Sequence, residues 1–260
     1  MHINLTSGGV ASAVSLFRLV ERFPREEIVS LFCDTKMEDE DLYRFNADVA
    51  RATGIPLTTI ADGRDPWQVF FDEKYLGNSL VDPCSRILKR SISNRFIREQ
   101  FTPENCTRYV GFYLDESDRL RTLTERLLPW KVESALHWKP AMCEADARRF
   151  LVEKGIRLPR LYALGFGHNN CGGFCIKAGH AHFERLLLTM PERYAYHEAK
   201  EQEIREYLQK DVSILRDRTD GKSKPLTLKA FRERVQAGLA VPGLFDGMTG
   251  CSCFADSDPA

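Results

Sequence analysis

An α/β fold built on a parallel sheet is predicted by three features of this 260-residue chain. Short apolar runs (Ile3 and Leu5, Ile28 to Phe32, Leu57 to Ala61, Thr107 to Phe112) alternate with stretches whose apolar residues recur at helical spacing. The first run breaks on Ser7-Gly8-Gly9 and turns at once into a helix carrying Val10, Ala13, Val14, Phe17 and Val20 on one face. Polar and charged residues crowd the carboxyl ends of three of the runs, where parallel strands open onto ligands.

The Ser7-Gly8-Gly9-Val10-Ala11-Ser12 stretch reads as a phosphate site. Two glycines permit torsions closed to other residues, and a helix N-terminus offers unpaired N–H groups to an anion. A glycine turn made only for tight packing is the plain alternative. The second strand, interrupted only by Ser30, ends on Cys33-Asp34-Thr35, so Asp34 is placed to meet a ribose or a metal-nucleotide. The acids Glu38 to Asp41 are read as stabilising the next helix through its dipole, with Leu42, Phe45, Val49 and Ala52 as its buried face and Gly54 as its stop.

After the third strand, Asp62 to Trp67 is expected to be a rim loop of the site. Asp82 to Arg90 runs into a helix with Arg95 and Arg98 and without an acid before Glu99, the strongest basic patch in the chain. Asp115-Glu116-Ser117-Asp118-Arg119 follows the fourth strand. Further on, a helix is expected from Ala145 to Val152, others over Glu192 to Leu208 and Leu228 to Ala237, and His180, His182 and His197 are read as surface or structural histidines.

Lysine plus arginine and aspartate plus glutamate both count 37, so no global field recruits a polyanion, and any nucleic acid must be met by a local patch. No uncharged stretch approaches the ~18 residues of a membrane span, and the first strand begins near Met1, so no membrane partner and a cytoplasmic location are expected. In a reducing compartment eight cysteines point to metal or thiol chemistry. Cys171 and Cys175 bracket Gly172-Gly173-Phe174, a backbone able to wrap around something both sulfurs touch, and Cys251 and Cys253 lie in a loose glycine-led tail.

Taken together, Ser7 to Ser12, Cys84-Ser85-Arg86-Ile87-Leu88-Lys89, Gly111 with Asp115-Glu116-Ser117 and Arg119, and Gly155-Ile156 through Leu161-Tyr162 to Cys171 resemble the phosphoadenylylsulfate (PAPS) reductase family of PP-loop ATP pyrophosphatases. The likeness covers roughly the first 180 residues. It implies a five-stranded parallel sheet of the adenine nucleotide alpha hydrolase-like type over residues 1–180, with 181–260 a helical extension ending in the cysteine tail. It implies that Ser7, Gly8, Gly9, Ser12, Asp34, Gly111 and Ser117 bind ATP and Mg2+, and that Lys89, Arg119 and Glu116 serve the reaction. It also implies that the Cys84 and Cys171/Cys175 segments meet, holding a four-iron four-sulfur cluster or, alternatively, zinc.

Departures from the family pattern shape the functional reading. The aspartate many PP-loop ATPases carry in the turn is Ala11, the double cysteine is the single Cys84, and the cysteine spacer is three residues. The fourth ligand is then Cys251 or Cys253, with Cys143 as an outsider, while the other tail cysteine, Cys253 in the favoured assignment, is the nucleophile. The chain looks most similar to the ATP pyrophosphatases of DNA phosphorothioate modification, which implies a cysteine desulfurase as sulfur donor and DNA as acceptor. A sulfonucleotide reductase using a tail thiol and a non-catalytic nucleotide-binding protein are the two alternatives.

Overall fold

The computed structural model describes residues 1–77 and 81–239. In chain order these form β1 (His2–Thr6), α1 (Val10–Arg22), β2 (Ile28–Cys33), α2 (Glu40–Thr53), β3 (Leu57–Ile60), α3 (Pro66–Asp72) and the short α4 (Pro83–Ser85). A π-helical turn, Arg86–Ser91, leads into α5 (Ile92–Gln100), followed by β4 (Thr107–Tyr109), α6 (Ser117–Arg126), β5 (Lys131–Glu133), α7 (Glu144–Glu153) and α8 (Arg160–Ala163). The remainder is α9 (His180–Thr189), α10 (Pro191–Leu208), the hairpin β6 (Leu215–Asp217) and β7 (Lys224–Leu226), and α11 (Leu228–Gln236).

The main sheet is five-stranded and wholly parallel, in the order β3-β2-β1-β4-β5, as the fold class anticipates. Strand order reverses between β1 and β4, and at such a switch the loops leave in opposite directions and open a crevice. Ile3 and Leu5 pack with Leu31, Ile97 of α5 and Leu123 of α6 on one face. On the other face α1, α2 and α7 close a core of Val14, Leu16, Phe17, Phe45 and Leu151.

Alternation along β1 therefore puts Asn4 and Thr6 beneath α1, and both are buried. Asn4 Nδ2 donates to Thr6 Oγ1 at 2.9 Å and to the Ser12 carbonyl at 3.0 Å, while the Thr6 and Ser30 hydroxyls meet at 2.8 Å. These polar residues, which weaken the strand signal, clamp the first turn of α1 to the sheet.

In the basic stretch after Asp82, Lys89 and Arg90 are buried and paired, whereas Arg95 and Arg98 are exposed. Arg90 forms a bidentate pair with Asp82, Lys89 Nζ lies 3.4 Å from Glu38 Oε1, and Arg86 pairs with Glu73. The acids come mostly from other segments, so local sequence hid the neutralisation. The expected rim loop is likewise a helix cap: Asp65 and Gln68 form a capping box on α3, and Trp67 is buried.

A separate core joins Trp67 and Phe70 to Phe174, Phe183, Leu186, Tyr194 and Phe231. The buried face of α10 is Tyr194, His197, Glu201 and Ile204, half of it polar, so hydrophobic periodicity could not reveal it. His197 Nδ1 accepts from Trp67 Nε1 at 3.0 Å and stacks on Phe174 at 4.0 Å. Glu201 accepts from the N–H groups of Ile214, at the hairpin, and Leu228, at the start of α11.

Burial pushes these two groups in opposite senses. It lowers His197 from 6.5 to about 3 and raises Glu201 from 4.5 to about 7. The unfolded chain takes up the histidine proton first, so the His197 contribution is full above pH 6.5 and is lost as pH falls toward 3. The Glu201 contribution is full below pH 4.5 and is lost as pH rises through 7. Urea midpoints measured against pH should therefore peak between these limits, with Glu201→Gln flattening the alkaline limb and His197→Phe the acid limb. A midpoint unchanged by either substitution across the range would refute the assignment.

Candidate functional site

A cleft of about 220 Å³ opens at the β1/β4 switch. Its walls are the glycine turn (Ser7, Gly9, Val10, Ala11), the chain leaving β4 (Val110 to Tyr113, Asp115, Glu116), Glu144, Tyr162, and the loop Gly167 to Asn170.

The turn is built from inside. Gly8 has φ 79°, and a Cβ there would lie 2.5 to 2.9 Å from the Leu42 side chain. Ser12 Oγ is buried and donates to the Gly9 carbonyl at 3.0 Å while accepting from the Ser7 N–H at 3.2 Å. Ser12 thus braces the turn from behind, and it is Ser7 that lines the cleft. Tyr162 Oη accepts from the Val10 N–H at 3.3 Å, whereas among the described residues nothing accepts from the N–H groups of Ala11 and Ser12. These are the orphan donors a helix start holds out to an anion.

Gly111 has a steric reason that the strand pattern could not disclose. A Cβ there would sit 2.7 Å from the Ser12 nitrogen and 2.8 Å from the Ala11 carbonyl carbon. The chain leaving β4 passes so close to the first turn of α1 that only glycine fits.

Glu116 lines the cleft, accepts from the Tyr113 N–H at 3.0 Å and pairs with Arg119. Arg119 in turn lies over the Phe112 ring, 4.6 Å from its centroid. The lining contains three carboxylates, Asp115, Glu116 and Glu144, and among the described residues no lysine or arginine. Other expected residues stand away from it. Asp34 is buried, its carboxylate taken up by Lys36 and by Tyr43 Oη at 2.8 Å. Ser117 donates to the Leu114 carbonyl and lines a separate cleft with Leu120, Val132 and Trp138.

Behind the Asn169-Asn170 wall stands the cysteine turn. Cys171, Gly172 and Gly173 all have positive φ (52°, 59° and 82°), a strained sequence for the non-glycine residue. Three side chains impose it. Glu38 accepts from the Cys171 N–H, Arg193 donates to the Gly172 carbonyl at 2.6 Å, and His182 Nε2 donates to the Gly173 carbonyl at 2.8 Å. Glu38 also accepts from the Thr35 hydroxyl at 3.0 Å and faces Lys89. Asp39, with its side chain wholly buried, caps α2 and pairs with both Arg160 and Arg193. So two of the acids read as serving the helix dipole also tie α2 to Lys89 and to the cysteine turn.

His168 lines the cleft and stacks on His182, with ring centroids 5.5 Å apart. Burial, with His182 and Lys89 adding to it, holds His168 far below the usual histidine range and therefore neutral.

Cys84 packs against the core that contains Phe174 and Ile176, neighbours of Cys175, so its segment and the cysteine turn share one core. Among the described residues, no group of three or more His, Cys, Asp or Glu could hold a metal ion. Cys251 and Cys253 lie outside the described residues. Cys143 is exposed, at the start of α7.

Of the solved structures, the PAPS reductase from Candida auris, in a phosphate complex, is similar to this chain at 18% identity and a TM-score of 0.46, over 64% of this chain and 78% of that one. No family model matches the sequence, and no curated protein does. Among the described residues, no helix is long and apolar enough to cross a membrane.

Proposed function

We propose that the chain is an ATP pyrophosphatase that activates a substrate for sulfur transfer, with DNA phosphorothioate modification as its setting. The observation that carries the reading is the Ser7-Gly8-Gly9 turn at the head of α1, which together with Ala11, whose N–H has no acceptor among the described residues, lines the cleft at the strand-order reversal of the sheet. ATP lies in the cleft with its phosphates on this turn. Because the lining is acidic, Mg2+ accompanies the nucleotide, and Asp115 and Glu116 are oxygen donors of the kind it takes. Arg119, one side chain removed from the cleft through Phe112 and Glu116, offsets charge that grows at the scissile phosphate, and Lys89 does so from behind the Asn170 wall. Asp34 and Ser117 support their loops rather than touch the ligand.

Purified protein given ATP, Mg2+, a cysteine desulfurase with cysteine, and DNA should release AMP and pyrophosphate in equal amounts. ADP and phosphate would refute the α/β cleavage. Binding without turnover would leave only a nucleotide-binding protein, and thioredoxin-dependent release of sulfite from PAPS would favour the reductase.

In this reading Cys84, Cys171 and Cys175, with Cys251, would hold a four-iron four-sulfur cluster and Cys253 would carry the sulfur, although the three described cysteines do not by themselves stand as a metal-holding group. Such a cluster would supply a soft, thiolate-bound centre. Anaerobically purified protein should be brown, and Cys171→Ala should bleach it, whereas Cys253→Ala should keep the colour and lose turnover. A colourless protein holding one zinc would replace the cluster with the alternative metal.

A further inference from the structure

Among the described residues, two buried side-chain carbonyl oxygens of residues that line the cleft have no hydrogen-bond partner, Asn169 Oδ1 and Asn170 Oδ1. Asn169 is fully buried and Asn170 is 3% exposed, so solvent does not satisfy them, and a ligand in the cleft would reach either oxygen with a small turn of its amide. A buried acceptor left unpaired costs about 1–3 kcal/mol, and native structures rarely carry two side by side without a donor that arrives from elsewhere. Both residues line the cleft. Asn169 Nδ2 donates to the Gly8 carbonyl at 2.8 Å, and because Nδ2 and Oδ1 share one carbon, that bond sets Oδ1 beside the phosphate turn.

Resting on the nucleotide reading above, we infer that Asn169 and Asn170 form the ribose subsite, their side-chain oxygens accepting hydrogen bonds from the 2′- and 3′-hydroxyls. The ligand must supply donors, since an amide oxygen only accepts. A nucleotide bound by its phosphates at Ser7 to Gly9 has two sources of donors, the exocyclic amine at the far end of the base and the hydroxyls of the sugar next to the phosphates. The Asn169 amide lies beside the turn, with Asn170 next to it in the chain, which selects the sugar. Mg2+ is the less suitable occupant there, because it favours carboxylates, and those of the cleft are on the β4 side and α7. The Asn170 main chain is already engaged in the cysteine turn, its carbonyl accepting from the Gly173 N–H at 3.3 Å. A ribose held here therefore abuts the cysteine turn, bringing the nucleotide next to the sulfur chemistry.

The test is a binding cycle by titration calorimetry on the full chain with Mg2+ and three probes, ATP, 2′-deoxy-ATP and 3′-deoxy-ATP. Wild type should bind ATP about tenfold more tightly than at least one deoxy analogue. Asn170→Ala should weaken ATP about tenfold, weaken one deoxy analogue likewise, and leave unchanged the analogue that lacks the hydroxyl Asn170 accepts from. Equal binding of all three probes by wild type would overturn the subsite while leaving the nucleotide site standing, and this arm does not depend on whether the variant folds. Equal weakening of all three by Asn170→Ala would also overturn it, since the residue would then only be propping the loop. If wild type binds none of the three, the nucleotide reading falls and the subsite with it.

Discussion

Gly111→Ala is expected to abolish nucleotide binding and to destabilise the fold, although it adds a single methyl group. That methyl would meet backbone atoms of Ser12 and Ala11 at 2.7 to 2.8 Å, not the movable end of a side chain. The first turn of α1 cannot readily retreat. Asn4 fastens the Ser12 carbonyl to the sheet, the Ser12 hydroxyl fastens the Gly9 carbonyl, and Val10, Ala13 and Val14 are packed in the core. Overpacking of this kind costs roughly 1–3 kcal/mol. Whichever wall yields, the orphan N–H groups move relative to the β4 side of the cleft, and misplacing a positioned group by about 1 Å can cost on the order of a hundredfold. Urea unfolding and ATP titration on the same preparation check both effects. Wild-type affinity in Gly111→Ala would show that the turn and the β4 wall are not coupled.

Glu38→Gln is expected to cost about 3 kcal/mol, the scale for removing one partner of a buried ion pair. Glu38 is 6% exposed and Lys89 3% exposed, so neither charge has water to fall back on. Glutamine keeps the shape but only one acceptor, whereas both carboxylate oxygens accept, one from Thr35 and the other from Cys171, so the loss contains a hydrogen bond as well as the charge that faces Lys89 at 3.4 Å. The same carboxylate anchors the Cys171 N–H, hence turnover should fall further than the loss of folded protein explains. Adding Lys89→Met should restore much of the stability, because an apolar pair of similar volume often replaces a buried ion pair at little cost. It should not restore turnover, since Lys89 would be gone. Denaturant midpoints for the two single variants and the double variant decide the matter, and additive losses would sink the pairing.

Much of the α/β layout was legible in sequence. Strand-length apolar runs, the helix after Gly9 and the Gly54 stop depend on neighbours a few residues away, and the structure has β1 to β4 and α1 to α2 at those places. β5 was not legible: Lys131-Val132-Glu133 has one buried residue between two exposed charges. The β6–β7 hairpin was missed too, at three residues a strand. Fragments so short carry too little periodicity to separate from loop.

By itself the sequence determined the alternation of elements and the glycine turn at the head of α1, since each follows from local torsion and spacing. Only the tertiary structure decided which polar residues face the cleft. It turned Ser12 inward as a brace and paired Asp34 with Lys36 and Tyr43. It buried Lys89 against Glu38, 51 positions earlier in the chain, and set Asn169 beside Gly8. Side-chain partners so distant in sequence are chosen by the packing of helices on the sheet, and a buried charge or amide reveals its role only when the groups around it are known.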